Sequence, residues 1–286
     1  MNMNKLTPAV FFAAALFITG CGNKENRIDS KEIFPADDIS KIVMDISSWN
    51  VIVSSSDDSD IHVNYSGNGK DRDAVTAIQN NDMLAIQQND PSKNLAEQFS
   101  FGEAGRMMLY LPKNHTVSLE IQNGDGDMDL KEVSISDFCL KNSSGYITMS
   151  DLTIGSADME SDSGDIKITD STLKNSDIRT ESAYVTLKQN SLCRSSIFTS
   201  SGEASVTNVS DYQSLSIETD SADISLSHKK TPDNLSYHIL SGSDDVTLQF
   251  TNAESSVDTD GCKKGRCGKG NHSLSVVSNS GTVAVR

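Results

Sequence analysis

From residue 113 onward, apolar and polar positions recur on a fixed beat. With the small residue of each corner as phase zero, Gly126, Gly145, Gly164, Ala183, Gly202 and Ala222 are spaced 19, 19, 19, 19 and 20 residues apart. Asp244 and Gly281 continue the series at wider gaps. Five positions earlier stand Ile121, Leu140, Met159, Ile178, Ile197, Ile217, Ile239 and Val276. Two positions later stand Met128, Ile147, Ile166, Val185, Ala204, Ile224, Val246 and Val283, and four later Leu130, Met149, Ile168, Leu187, Val206, Leu226, Leu248 and Val285. Every one is apolar in a chain that is only 36% apolar, which excludes chance. Phases +2 and +4 share one face of a strand, because side chains alternate with period two. The positions between them are polar, as in Tyr146, Thr148 and Ser150.

A strand with one apolar face must bury it against something. Short strands, Ser/Gly/Asn/Asp corners and a fixed repeat predict an all-β fold, a single-stranded β-solenoid (β-helix) of ~19-residue coils. Each coil stacks about 4.8 Å above the last. The phase-zero Gly or Ala predicts a corner too tight for a large side chain, or one with positive φ. A serine column precedes it (Ser144, Ser163, Ser182, Ser201, Ser221). Phase −3 carries Asn142, Ser161, Thr180, Thr199, Thr219, Ser241 and Ser278, small polar groups able to bond the turn backbone.

The expected organisation is a leader at 1–20, a modified Cys and tether at 21–38, and one solenoid domain at 39–286. Within the domain, 39–112 predicts irregular first coils, with polar loops at 66–82 and 90–106. Residues 113–250 predict regular coils, 251–272 a basic Cys loop, and 273–286 a last coil. That coil is expected to end the chain on an exposed rung, with Arg286 and the basic loop blunting its edge.

The leader pairs Lys5 with an apolar run from Ala9 to Ile18, too short to span a bilayer comfortably. Ile18-Thr19-Gly20-Cys21 resembles a bacterial lipobox, so Cys21 is the expected lipidation site, carrying diacylglyceryl and further acyl (palmitate-type) chains. The other reading is a plain secretory signal. Gly22 after the Cys leans toward the outer membrane in a Gram-negative cell. The formal charge of −16 argues against nucleic acid, whose phosphates need Lys and Arg. It also argues against electrostatic adhesion to anionic lipid, which leaves the lipid anchor to hold the membrane.

The lipoprotein-type leader, the apolar strand ending in Leu111-Pro112 and the recurring corners typified by Ser163-Gly-Asp-Ile-Lys-Ile168 resemble a bacterial family. It is the family of unknown function often labelled putative adhesin, a β-solenoid domain of envelope proteins. The resemblance covers roughly residues 40–286. It implies an extended envelope module, sometimes linked to envelope stress, and brings no catalytic residues.

Candidate chemistry is sparse. Cys262 and Cys267 bracket Cys-Lys-Lys-Gly-Arg-Cys and read as a disulfide in an exported chain. A metal site with His272 and free thiols are the other readings. Cys139 and Cys193 lie three coils apart, about 14 Å, beyond disulfide reach. Lys263, Lys264, Arg266 and Lys269 make that loop a candidate contact for an anionic envelope polymer or an acidic protein partner. A solvated loop is the alternative. Asn123-Gly-Asp-Gly-Asp-Met-Asp129 looks calcium-like but lacks the twelve-residue loop with its terminal Glu. No metal or other cofactor is expected. Arg179 and Arg194 lie scattered among Asp and Ser, and there is no Gly-x-Ser-x-Gly elbow and no phosphate loop. The expected function is a non-catalytic, adhesin-like or stress-linked binding module. The alternatives are a polysaccharide-acting β-helix enzyme, marked by carboxylates with a basic neighbour in one groove, and a purely structural scaffold.

Overall fold

The computed structural model describes residues 27–68, 75–89, 105–210 and 212–286. Cys21 and the leader lie outside these residues. The N-terminal part comprises β1 (Arg27–Pro35), a 3-10 turn (Ala36–Asp38), β2 (Lys41–Ile46), β3 (Asn50–Ser56), β4 (Asp60–Asn68), β5 (Val75–Asn80), β6 (Met83–Gln88) and β7 (Arg106–Pro112). The regular coils are β8 (Thr116–Asn123) with β9 (Met128–Lys131), β10 (Ser134–Asn142) with β11 (Ile147–Ser150), and β12 (Thr153–Ser161) with β13 (Ile166–Thr169). They continue as β14 (Thr172–Thr180) with β15 (Val185–Lys188), β16 (Ser191–Thr199) with β17 (Ala204–Val209), and β18 (Ser214–Thr219) with β19 (Ile224–His228). The C-terminal part is β20 (Asn234–Ser241), β21 (Val246–Leu248), β22 (Ala253–Asp258), β23 (Cys262–Gly268), β24 (His272–Ser278) and β25 (Val283–Val285).

The strands form two long, mainly parallel sheets, the β-solenoid expected from the repeat. Sheet A has 12 strands, in the order β1-β4-β7-β3-β9-β11-β13-β15-β17-β19-β25-β21, and sheet B has 13, in the order β22-β23-β20-β24-β18-β16-β14-β12-β10-β8-β2-β6-β5. Each coil gives one strand to each sheet. The phases are the register. Ile147 pairs with Met128 and Ile166, and Leu140 pairs with Ile121 and Met159. The inward columns meet between the sheets as one continuous core, and of the three columns only Leu248 is not fully buried.

Two kinds of corner close each coil. At phase zero the previous rung leaves no room: a Cβ on Gly145 would run into the carbonyl oxygen of Gly126, and one on Gly202 into that of Ala183. None of these glycines has positive φ, so close approach explains the small residue. The phase −3 side chains are buried and tie the corner down. Asn142 Nδ2 donates to the Gly145 carbonyl (2.8 Å), Ser161 Oγ to that of Gly164 (2.7 Å) and Thr180 Oγ1 to that of Ala183 (2.9 Å). The opposite corner is a left-handed residue at phase +6: Glu132, Asp151, Asp170, Gln189 and Asn208, with φ between 50° and 59°. An L residue there costs about 1 kcal/mol or more, least for Asn and Asp. Glu132→Gly is therefore expected to raise stability by about 0.5 kcal/mol, after glycine's own entropic cost; a denaturant midpoint reads it.

At both ends of the stack the order of rungs departs from the order of the chain. β24 pairs with β18 on one side and β20 on the other, and β25 lies between β19 and β21. At the other end β2 and β3 lie against β8 and β9, with β6 and β7 outside them. This corrects the expectation of a final exposed rung: Arg286 is an internal residue, its N–H donating to Leu226 O and its carbonyl accepting from His228 N. The outer edges are β1, β21, β5 and β22. Three of the four belong to antiparallel pairs, which interrupts the parallel stacking another solenoid would need. Residues 27–35, expected as tether, form β1 on β4, and β5 lies within the expected polar loop 66–82.

Candidate functional site

The outward face of sheet B can be read strand by strand from its register. One row runs Ile78, Ala85, Val43, Glu120, Cys139, Asp158, Asp177, Ser196, Ser216, Ser275, His238, Lys264. It passes from apolar to acidic, then to serine, then to basic. A neighbouring row runs Asp137, Ser156, Asn175, Arg194, Ser214, Ser273, Ser236, Arg266, Glu254. Serine is the shortest hydroxyl side chain, so where both rows are serine the surface sinks. The result is a groove of about 1220 Å³ that crosses eight strands, β12 to β22. At one strand spacing per step its length is about 34 Å.

The sequence-predicted basic residues sit at one end of this groove, but not in a stapled loop. Residues 253–268 form the antiparallel hairpin β22–β23, laid against β20. Cys262 and Cys267 are five residues apart on one extended strand, about 17 Å, far beyond disulfide reach. All four described cysteines are free thiols, so the expected Cys262–Cys267 disulfide is not formed. The glycine between them has a packing reason: a Cβ on Gly265 would meet the Tyr237 hydroxyl and the Glu254 carbonyl. Tyr237 lies buried over it and bonds Ser255 Oγ at 3.1 Å. Gly268 and Gly270, both at positive φ, turn the chain back into β24.

The hairpin also neutralises part of its own charge. Lys263 pairs with Asp258, its register partner, and Arg266 makes a two-contact pair with Glu254 (2.8 and 2.9 Å). Lys269 lies exposed in the turn before β24. Of the four predicted contact residues, Lys264 alone both lines the groove and lacks a carboxylate partner among the described residues.

At the other end, stacking assembles groups that look scattered in sequence. Arg179 reaches both Asp177 and, at 3.8 Å, Asp158. Arg194 makes a long 3.4 Å bond to Asn175 and has no carboxylate partner among the described residues. Asp177 Oδ1 is buried in the groove wall with no hydrogen-bond donor. Cys139 lies on the same row just beyond, where burial first, and then Glu120 and Asp158, push its thiol up. Burial alone does the same at Cys267. The calcium-like stretch serves the ladder instead: Asn123 bonds Gly126 and Asn142, and Asp127 accepts the Tyr146 N–H. Tyr146 and Tyr184, exposed on alternate rungs, flank Asp165 at the corners just before β11, β13 and β15.

A family model described as Toastrack DUF4097 matches residues 39–286. The chain belongs to this family. The two-sheeted stack with a 19-residue register is thus the Toastrack fold of this chain. Among solved structures, a putative adhesin from Bacteroides fragilis shares 9% identity at TM-score 0.48, covering 93% of this chain and 99% of that one. A putative lipid binding protein from Parabacteroides distasonis shares 11% at TM-score 0.47, covering 91% and 97%. A putative cell adhesion protein from Clostridium sporogenes shares 10% at TM-score 0.32, covering 91% and 99%. None of the curated proteins matches the chain.

Proposed function

We propose that this Toastrack chain is a lipid-anchored envelope module that holds an extended polymer in the groove of sheet B without cleaving it. The observation that carries this reading is the groove itself. It is long and open, with serine hydroxyls set along its floor, and it crosses eight strands of a rigid stack. Such a surface suits a chain laid across rungs better than a small ligand, which favours enclosed, mostly apolar pockets. Anchoring rests on the Ile18-Thr19-Gly20-Cys21 motif, with Gly22 favouring the outer membrane. β1 begins at Arg27, so a lipid on Cys21 would hold the N-terminal end of the stack close to the bilayer.

One observation favours a second reading. Asp158 and Asp177, held by Arg179, line one end of the groove together with Arg194 one strand on, a set of carboxylates with basic neighbours that suits a polysaccharide-cleaving β-helix enzyme. Against it, both carboxylates are already engaged by Arg179. The test uses the full chain in detergent, a panel of envelope polysaccharides and Ser216→Trp, which fills the floor from an outward position. Saturable binding that weakens at least about tenfold in the variant, with no release of reducing ends, is expected. Equal binding by the variant removes the groove as the site, and product release replaces the binder with an enzyme.

A further inference from the structure

We infer that the occupant of this groove is an acidic glycan: a hydroxyl-rich chain with widely spaced anionic groups. The inference rests on the groove being the site. Three features of the lining choose the ligand.

The first is the floor. Serine hydroxyls from β16, β18, β24 and β20 all point outward at the same two register positions. Each can accept, and all but Ser236, whose hydroxyl donates to the His272 carbonyl at 3.0 Å, can also donate, which suits sugar hydroxyls in either role. The strand backbones beneath are already committed to the ladder, so an extended peptide would find no main-chain partners there. Tyr237, the one Tyr, Trp or Phe of the lining, is buried.

The second is an orphan acceptor. Asp177 Oδ1 is buried without a donor, while its other oxygen is held by Arg179. A buried acceptor left unpaired costs about 1–3 kcal/mol. The Asp177 side chain as a whole is about a third exposed, so a small rotation brings this oxygen to a ligand hydroxyl, which supplies the missing donor; an anionic group could not.

The third is the charge spacing. Arg194 on β16 and Lys264 on β23 are the two groove cations without a carboxylate partner among the described residues. They stand four strand spacings apart, about 19 Å, with the serine floor between them. A polymer bearing an anion every few sugars can reach both. A densely charged polyanion would meet the −16 field of the whole chain with only two unpaired groove cations to offset it.

The test measures binding of the full chain to three oligomer sets of matched length: sparsely carboxylated (uronic acid) glycans, sparsely phosphorylated glycans, and neutral glycans of the same backbone. One or both acidic sets should bind at least about fivefold tighter than the neutral set, the preferred set identifying the anion. That margin should shrink with added salt and in both Arg194→Gln and Lys264→Gln. Asp177→Asn, which leaves an acceptor oxygen, should bind better than Asp177→Leu. Ser216→Trp should abolish binding of every set. Neutral oligomers binding as tightly as acidic ones would overturn the ligand class. So would failure of all three sets while another polymer still binds in a Ser216→Trp-sensitive way, and that result leaves the groove intact. Oligomers that bind Ser216→Trp unchanged would overturn the groove itself.

Discussion

A chain lacking residues 272–286 is expected to lose order far beyond the deleted segment. If the last coil stacked on the end of the solenoid, its removal would expose one rung and leave the others paired. Among the described residues, β24 and β25 carry all the strand pairing between the β18–β19 rung and the β20–β21 rung in both sheets. Their loss removes Leu274, Val276, Val283 and Val285 from the core, at roughly 1.5–3 kcal/mol each. It also leaves β20, β21 and the β22–β23 hairpin without a neighbour on the solenoid side. Hydrogen exchange should show protection falling across residues 234–268 while residues 116–209 stay protected. Protection lost only next to the deletion would mean that the rung order is wrong. Val276→Asp should act in the same direction, at more than about 4 kcal/mol. Val277→Asp, one residue on and facing out, should cost little. The groove depends on the same insertion, because Ser273 and Ser275 complete its floor.

That insertion shows where the sequence stops being legible. The phases placed Ile224, Val246 and Val283 in one inward column, and all three lie there. Phase fixes the column a residue joins, not the order of rungs along it. Val283 and Val246 are both small, β-branched and equally suited to sit against Ile224. The choice between them is made by the length of the β22–β23 excursion and by the two glycine turns after it. The left-handed corner was missed for a related reason. Glu132, Asp151, Asp170, Gln189 and Asn208 share a backbone conformation but not a side-chain type. A repeat of Asp, Asn, Gln and Glu at phase +6 was the available signal.

The hairpin was misread because two cysteines five residues apart look like a staple when the intervening chain is taken as a loop. The alternation in Lys264-Gly265-Arg266 was the sign of a strand, with two cations out and a glycine in. Its acidic partners, Glu254 and Asp258, were also present, a few residues upstream. The groove had no local signature at all. It consists of single serines from strands far apart in sequence, and its depth comes from the lack of longer side chains at matched register. Asp158, Asp177 and Arg194 belong to three successive coils. Only stacking at phase makes them neighbours.

The buried column at phase −3 permits a sharper test of what specifies each coil. Asn142→Leu is expected to destabilise the protein by about 2–4 kcal/mol, since it strands buried polar groups on three rungs. The Gly145 carbonyl loses its 2.8 Å donor, Ser161 Oγ loses a 3.0 Å donor, and Asn123 Nδ2 loses its 2.8 Å acceptor. For a domain of this size that corresponds to a fall of about 5–15 °C in melting temperature. Asn142→Ser should cost within about 1 kcal/mol, because Ser161 does the same work one coil later, donating to the Gly164 carbonyl at 2.7 Å. The two outcomes separate polarity from volume. Leucine keeps the branched outline and four side-chain heavy atoms of asparagine and fails; serine is smaller and serves. The same geometry links Asn142 to the next corner, since a Cβ on Gly164 would strike both Asn142 Nδ2 and the Gly145 carbonyl. Asn142→Ser should therefore soften the cost of Gly164→Ala, a coupling that a double-mutant cycle would read directly. Strict additivity of the two changes would show that the corner glycine answers to the Gly145 carbonyl alone.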